Sequence, residues 1–236
     1  MNIQGAILVL PEKEDAERDA VEVAWLRNGG QTLRLGRFWD PPAHLMTAQV
    51  RVYGSDSFCL VLAQKLGLML VSPPDDLIAK ISRRWLKRDV AIMTLAEARA
   101  GAFPCFIKPL VPKLFKAAVY ADVSALDAAC TNVSATEGVI VSAVVAFEAE
   151  VRAFVLDGTV LDCAFYEGDG DNGAVADFVG QLCADVRLPK TCVVDAGFVP
   201  NSGWVFIEAN ASWGAGLNGC NAEKVLPAIE AATTGR

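Results

Sequence analysis

Thr191-Cys-Val-Val-Asp195-Ala-Gly-Phe-Val-Pro-Asn-Ser-Gly203-Trp-Val-Phe-Ile-Glu208-Ala-Asn210 places two apolar, β-branched runs around a Pro-Asn-Ser-Gly turn, the pattern of an antiparallel hairpin. Side chains alternate faces along a strand, so Glu208 and Asn210 point the same way. With the turn centred between Asn201 and Ser202, Asp195 is expected across the pair from Glu208. Two facing carboxylates with no cation between them repel. Hard oxygen donors of this kind suit magnesium, especially magnesium held on nucleotide phosphates. The plainer alternative is a solvated sheet face. The apolar residues crowding these acids favour a metal site at Asp195, Glu208 and Asn210.

Working outward, Ala174–Arg187 reads as a helix preceding this hairpin. Glu150–Leu156 and Val160–Phe165 read as strands joined by the two-residue turn Asp157-Gly158, with Glu150 and Arg152 on one face. The acidic glycine loop Glu167–Gly173 lacks the donors of a calcium loop and is a surface turn. Val139–Phe147 reads as one buried strand, and Phe103–Pro109 as a short strand carrying Lys108 near its end, with Lys113 and Lys116 beyond it. A helix is expected over Asp76–Arg88, with Leu77, Ile78, Ile81 and Trp85 as its buried stripe. Toward the N-terminus, strands at Ala6–Leu10, Gln49–Tyr53 and Leu68–Val71 alternate with helices at Glu14–Asn28 and Ser57–Leu66. That alternation predicts a small open α/β layer, closed by Pro73-Pro74.

Composition narrows the function classes. A 53% hydrophobic content excludes a disordered chain, and a net charge of -7 argues against a general nucleic-acid binder. Seven cysteines without a CxxC pair, and one histidine, His44, give no zinc-ligand spacing. Cysteines set in apolar runs point to reduced thiols and a cytoplasmic location. The N-terminal residues lack a basic region and read as a first strand rather than a signal peptide. The greasiest segments are too short or too interrupted to span a bilayer, so no membrane partner is expected.

Gly214-Ala-Gly216-Leu-Asn-Gly219 is a literal GxGxxG, but too little chain follows it to build a dinucleotide-binding unit. Its glycines let the backbone pass close to a ligand or cap the strand exit. What remains is a set of complementary charges. Arg88, Lys108 and Lys113 can cradle phosphates, while Asp195, Glu208 and Asn210 hold the magnesium that neutralises them. Taken singly, each basic residue is more simply an exposed surface charge; their joint occurrence with the acidic hairpin shifts that balance.

The order Phe106-Ile-Lys108-Pro109, Lys113, Glu150-x-Arg152, Asp195 and Glu208-x-Asn210 resembles the ATP-grasp superfamily, and more closely its bacterial clade marked by one arginine and two lysines. The resemblance spans about 73–220. It implies a chain of mixed α/β and α+β class: an ATP-grasp fold whose two lobes clasp a nucleotide, preceded by a small open α/β pre-ATP-grasp domain. The corresponding segments are 1–74 for the pre-domain, 75–138 for the first lobe and 139–236 for the second lobe with its metal-binding hairpin. It further implies ATP and Mg2+ as cofactors, with Lys108 and Lys113 on the phosphates. Adenine then lies against the strand and linker that include Val145 and Phe147. Arg152 holds the carboxylate or its acyl phosphate, and Lys108 joins it as a catalytic residue. Glu150 joins the nucleotide-binding set. One departure stands out: Ser142-Ala143 occupies the place where related sequences often carry the acid that meets ribose, and Glu148 is the substitute in reach along the chain.

The function implied is an ATP- and magnesium-dependent carboxylate–amine (or peptide) ligase acting through an acyl phosphate on small-molecule or peptide substrates. A phosphotransferase on the same fold and a non-catalytic nucleotide-binding or interaction module are the alternatives. The sequence is silent on substrate identity and oligomeric state.

Overall fold

Leu8, Val9 and Leu10 are all fully buried in β1 (Ile7–Pro11), so this strand is covered on both faces. Leu8 and Leu10 pack with Trp25 of α1 (Ala16–Arg27), and Val9 packs with Phe58 and Leu62 of α2 (Asp56–Leu66). Such two-sided burial is the mark of a parallel strand between helices. β1 pairs in parallel with β2 (Gln31–Leu35) on one side and β3 (Val50–Val52) on the other. The α/β layer expected from the sequence is therefore present, with β2 as an added edge strand. The helix bounds follow local chemistry. The Asp15 carboxylate accepts the Arg18 amide at 3.1 Å to start α1, and Gly67, at φ 65°, ends α2 in the left-handed conformation. β4 (Met69–Leu70) follows.

The computed structural model describes residues 3–235. The chain forms two compact units: Met1–Pro73, Ala149–Gly197 and Ile207–Arg236 make the larger, Pro74–Glu148 and Phe198–Phe206 the smaller. These units cut across the three consecutive segments drawn from the sequence, because the 191–210 hairpin carries the chain out of the larger unit and back.

In the smaller unit the expected helix over Asp76–Arg88 is broken in two, α3 (Leu77–Lys80) and α4 (Arg83–Leu86), with Ile81 and Ser82 extended between them. The stripe Leu77, Ile78, Ile81 and Trp85 is buried as expected, but so is Leu86. On one straight helix Leu86 would lie on the opposite side from Leu77, so the break lets both enter the core. β5 (Val90–Thr94) leads into α5 (Leu95–Arg99) through a capping box between Thr94 and Glu97. β6 (Cys105–Pro109), β7 (Ala118–Tyr120), α6 (Val123–Ala129) and β8 (Gly138–Ser142) complete a sheet of order β5-β8-β6-β7. Leu95, Ile107, Leu126 and Val139 fill its core.

The strand expected over Val139–Phe147 stops at Ser142. Ser142 pairs with Val90, the first residue of β5, on one side and with Phe106 of β6 on the other, so β5 has nothing left to pair beyond it. Residues 143–147 continue without a ladder, held by Ala143 N–H on the Asp89 carbonyl at 3.0 Å.

Back in the larger unit, β9 (Ala149–Leu156) and β10 (Thr159–Glu167) form the expected hairpin, with Asp157 at φ 48° and Gly158 at φ 76°. α7 (Asn172–Asp185) starts on the Asp171 carboxylate. β11 (Thr191–Val199) and β12 (Gly203–Asn210) extend the sheet in the order β10-β9-β11-β12. α8 (Ala222–Ala231) packs on α1, and β13 (Thr233–Thr234) pairs with β4.

Candidate active site

In the larger unit Asp195 is almost wholly buried, at 3% exposure, in the middle of β11. A buried carboxylate needs a compensating charge. Arg152, half-buried on β9, supplies it with a two-pronged contact: Nε donates to Oδ1 at 2.8 Å and Nη2 to Oδ2 at 2.7 Å. The third guanidinium nitrogen, Nη1, donates to the Gly216 carbonyl at 3.0 Å. Burial works against the Asp195 carboxylate and pushes its pKa up, with Arg152 opposing. Burial also depresses Arg152, but Asp195 outweighs it and the guanidinium is held above its ordinary value.

Glu208 and Asn210, two residues apart on β12, meet as strand parity requires. Asn210 Nδ2 donates to Glu208 Oε1 at 3.0 Å and to Asp195 Oδ2 at 3.2 Å. The three candidate metal ligands thus form one contiguous polar cluster in the larger unit, and the cation nearest Asp195 is Arg152. Among the described residues there is no group of three His, Cys, Asp or Glu side chains able to hold a metal ion. The donor set on offer is two carboxylates and one amide, of which Asp195 is already committed to Arg152. Magnesium needs only one or two protein carboxylates when phosphates and waters complete its octahedron, so this set fits a nucleotide-bound ion.

Glu150 lies two residues before Arg152 and pairs with Glu167, beside a bulge that takes in Tyr166. The Tyr166 hydroxyl donates to Glu150 Oε2 at 2.7 Å. Burial, then this hydrogen bond, pushes the Tyr166 pKa up.

The smaller unit holds the other basic candidates. Lys108 is half-buried on β6, opposite Ile140 of β8, and alternation turns it with Phe106 away from the buried Cys105 and Ile107. Lys113 is exposed at φ 67°, in the loop after β6. Arg88 is half-buried and anchored: Nη1 donates to the Phe206 carbonyl at 2.8 Å and the Leu86 carbonyl at 3.1 Å, and Nε to Ser142 Oγ at 3.1 Å. Burial lowers its pKa. Val145 and Phe147 are half-buried and Glu148 is exposed. Glu148 is fixed by its backbone N–H on the Phe198 carbonyl at 2.9 Å.

A family profile matches residues 85–228: ATP-grasp domain, family 2 of the clade named for one arginine and two lysines. The chain belongs to this family. The resemblance read from the Lys108, Arg152 and Glu208-x-Asn210 motifs is thereby established, and so is the ATP-grasp fold. No curated protein matches the chain. Among solved structures it is similar to a RimK domain ATP-grasp protein from Sphaerobacter thermophilus, at 14% identity and TM-score 0.66, covering 95% of this chain and 99% of that one. It is also similar to an L-amino acid ligase from Bacillus licheniformis, at 11% identity and TM-score 0.61 over 98% and 75% of the two chains. A third is the D-alanine–D-alanine ligase of Bacillus anthracis complexed with ATP, at 14% and 0.55 over 98% and 97%.

Within this ATP-grasp chain several polar residues escaped the sequence reading. Glu17, at the start of α1, accepts the backbone N–H groups of Leu217 at 3.0 Å and Asn218 at 2.6 Å and so holds the glycine loop after β12. Asp15 and Glu17 carry no local motif beyond helix capping, so nothing in sequence links them to a loop some 200 residues away. Tyr166 was hidden by the bulge. All seven cysteines are free, and burial raises the thiols of Cys192 and Cys220 to about 12, which suits packing and not nucleophilic catalysis. Among the described residues no helix is long and apolar enough to cross a membrane.

Proposed function

We propose that this ATP-grasp protein is an ATP- and magnesium-dependent carbon–nitrogen ligase that joins a small-molecule or peptide carboxylate to an amine through an acyl phosphate. The observation that carries the reading is the Asp195–Arg152–Asn210–Glu208 cluster: a buried cation–carboxylate fork beside two further oxygen-bearing side chains on one strand face. Glu208 and Asn210 are assigned as metal ligands with Asp195 beside them. The Asn210 amide turns its nitrogen to the carboxylates; rotated about its last bond, it offers Oδ1 instead. Magnesium, when bound, supplies positive charge to the phosphate oxygens.

The roles of this chain's own residues follow. Lys108 and Lys113 bind phosphate oxygens, Lys108 with a catalytic part because charge on the transferring phosphoryl group is stabilised by fixed cations. Arg152 holds the acyl phosphate or its parent carboxylate, already oriented by Asp195. Arg88, through its contact with Ser142 Oγ, keeps the end of β8 in place for the nucleotide while contributing positive charge. Val145, Phe147, Glu148 and Glu150 are assigned to adenosine, with Glu148 serving the ribose in place of an acid at Ala143. The segments 1–74, 75–138 and 139–236 are retained as the functional division.

The test is magnesium-dependent ADP release across panels of carboxylates and amines. A ligase gives ADP, phosphate and an amide only with both co-substrates, whereas a phosphotransferase gives a phosphorylated product with one. Glu208→Ala abolishes ADP release with the fold intact by circular dichroism; unchanged release in that variant overturns the metal assignment. Nucleotide binding without turnover under every pairing would favour an interaction module.

A further inference from the structure

Tyr166 sits where β10 departs from regular pairing. Ala164 opposes Arg152 and Phe165 opposes Val151, but Glu167, not Tyr166, opposes Glu150. Tyr166 is therefore the extra residue of a β-bulge, a device that re-aims a side chain and is frequent beside functional sites. The residue remains 39% exposed, so packing does not explain why the strand is distorted there. What the tyrosine does instead is polar: its hydroxyl donates to Glu150 Oε2 at 2.7 Å.

The bulge creates a need for that bond. Glu167 and Glu150 face each other across the ladder, and like charges directly opposed push the two carboxylates apart. Glu167 is exposed and can turn into water, whereas Glu150 is half-buried on the strand that carries Arg152. The Tyr166 hydroxyl holds Glu150 in place against this repulsion. Burial, then the bond itself, pushes the phenol's pKa up, so it stays a donor throughout the neutral range. Asp195 and Arg152 also act on Tyr166, which puts it within the field of the Arg152–Asp195 fork. Among the described residues only Oε2 of Glu150 is engaged, so Oε1 is left to accept from a ligand. Adenosine offers two kinds of donor, the ribose hydroxyls and the adenine amino group. A hydroxyl on a carboxylate makes the shorter and stronger bond.

We infer that Tyr166 is a positioning residue: its hydroxyl fixes the Glu150 carboxylate so that Oε1 accepts from a ribose hydroxyl of the nucleotide. Resting on the assignment of Glu150 to adenosine, this gives Tyr166 a part in telling ribose from deoxyribose. The tyrosine itself touches no substrate; it acts through Glu150. Without it, Glu150 is free to swing away from Glu167, and the ribose loses a fixed acceptor.

The test is equilibrium binding of ATP, its 2′-deoxy and 3′-deoxy forms and purine riboside triphosphate, each with magnesium, to the full chain and its variants. Wild type prefers ATP to at least one deoxynucleotide. Tyr166→Phe, which keeps the ring, weakens ATP by about three- to tenfold, the worth of one hydrogen bond, and binds that deoxynucleotide as wild type does. Glu150→Ala loses the same preference, and adding Tyr166→Phe to it changes nothing further. A tyrosine that only supported the fold would weaken ATP and the deoxynucleotides alike. The inference is overturned if Tyr166→Phe binds ATP as wild type, if it weakens ATP and both deoxynucleotides equally, or if the two substitutions add. It is also overturned if the preference lost is the one against purine riboside triphosphate, which lacks the amino group. Glu150→Ala covers the case in which Tyr166→Phe does not fold, since a ribose preference retained there overturns the inference equally. Wild type that binds no nucleotide overturns the adenosine assignment and the role of Tyr166 together, whereas unimpaired ATP binding by Tyr166→Phe removes Tyr166 alone. The Tyr166 effect without ADP release in any pairing keeps the positioning role and removes the ligase reading.

Discussion

Replacing Arg152 by methionine keeps most of the side chain's length and removes its charge. It strands Asp195, whose side chain is 4% exposed against 12% for Arg152. Removing one partner of a buried ion pair costs about 3–5 kcal/mol, because the remaining charge is neither solvated nor matched. Asn210 still donates to Asp195 at 3.2 Å, which sets the expectation toward the lower end. At roughly 2–4 °C per kcal/mol for a chain of this size, the melting temperature falls by about 6–20 °C. Urea unfolding followed by tryptophan fluorescence measures the loss, and the decisive comparison is a double-mutant cycle. Arg152→Met combined with Asp195→Leu removes both charges, so the double variant should be more stable than Arg152→Met alone. A cost below about 1 kcal/mol for Arg152→Met, the range of solvent-exposed pairs, would refute the reasoning. So would a double variant whose loss is simply the total of the two single losses.

Glu17→Gln weakens the grip on the glycine loop by about 1.5–3 kcal/mol, as the charge and one of the two oxygens accepting from Leu217 and Asn218 are lost, and hydrogen exchange of those two amides should accelerate while that of the β1 amides does not. Gly30→Ala drives a Cβ into Trp25 Nε1, which donates to the Ala6 carbonyl at 3.2 Å; a destabilisation of about 1–3 kcal/mol with a shifted Trp25 emission is expected. Gly180→Ala is the opposite control, since nothing lies within 4 Å of its Cβ in α7 and the helix should gain about 0.5–1 kcal/mol in chemical denaturation. Thr94, through its backbone N–H and its hydroxyl, holds the Glu97 carboxyl below the usual carboxylate range. Its contribution is therefore fully present above the ordinary glutamate pKa and fades as pH falls through the depressed value; Glu97→Gln should flatten that acid limb, and an NMR titration showing an ordinary pKa would contradict it.

Punctuation decided what could be read in advance. The Asp157-Gly158 and Pro-Asn-Ser-Gly turns fixed the two hairpins close to their observed bounds, because each demands a particular backbone conformation. β2 was invisible, since Thr32, Leu33, Arg34 and Leu35 are all half-buried and show no alternation. The run beyond Ser142 looked like strand because hydrophobicity does not reveal where the neighbouring strands end. Strand parity brought Glu208 and Asn210 together on paper. Charge repulsion showed that Asp195 wanted a cation, but only tertiary structure chose Arg152, 43 residues away, as the first to answer. Lys108 and Lys113 stand out through motif order, and their place on the phosphates is part of the proposal.

The excursion of residues 198–206 has a consequence for synthesis. The smaller unit is not finished until Phe206 has left the ribosome, and β4 must wait for Thr233 and Thr234 to find its ladder. At about 5–20 residues per second, β4 spends on the order of 10–30 s as nascent chain before β13 is made. The β4–β13 ladder therefore closes only when Thr233 and Thr234 have been made, whereas the β2-β1-β3 sheet has all its strands by Val52.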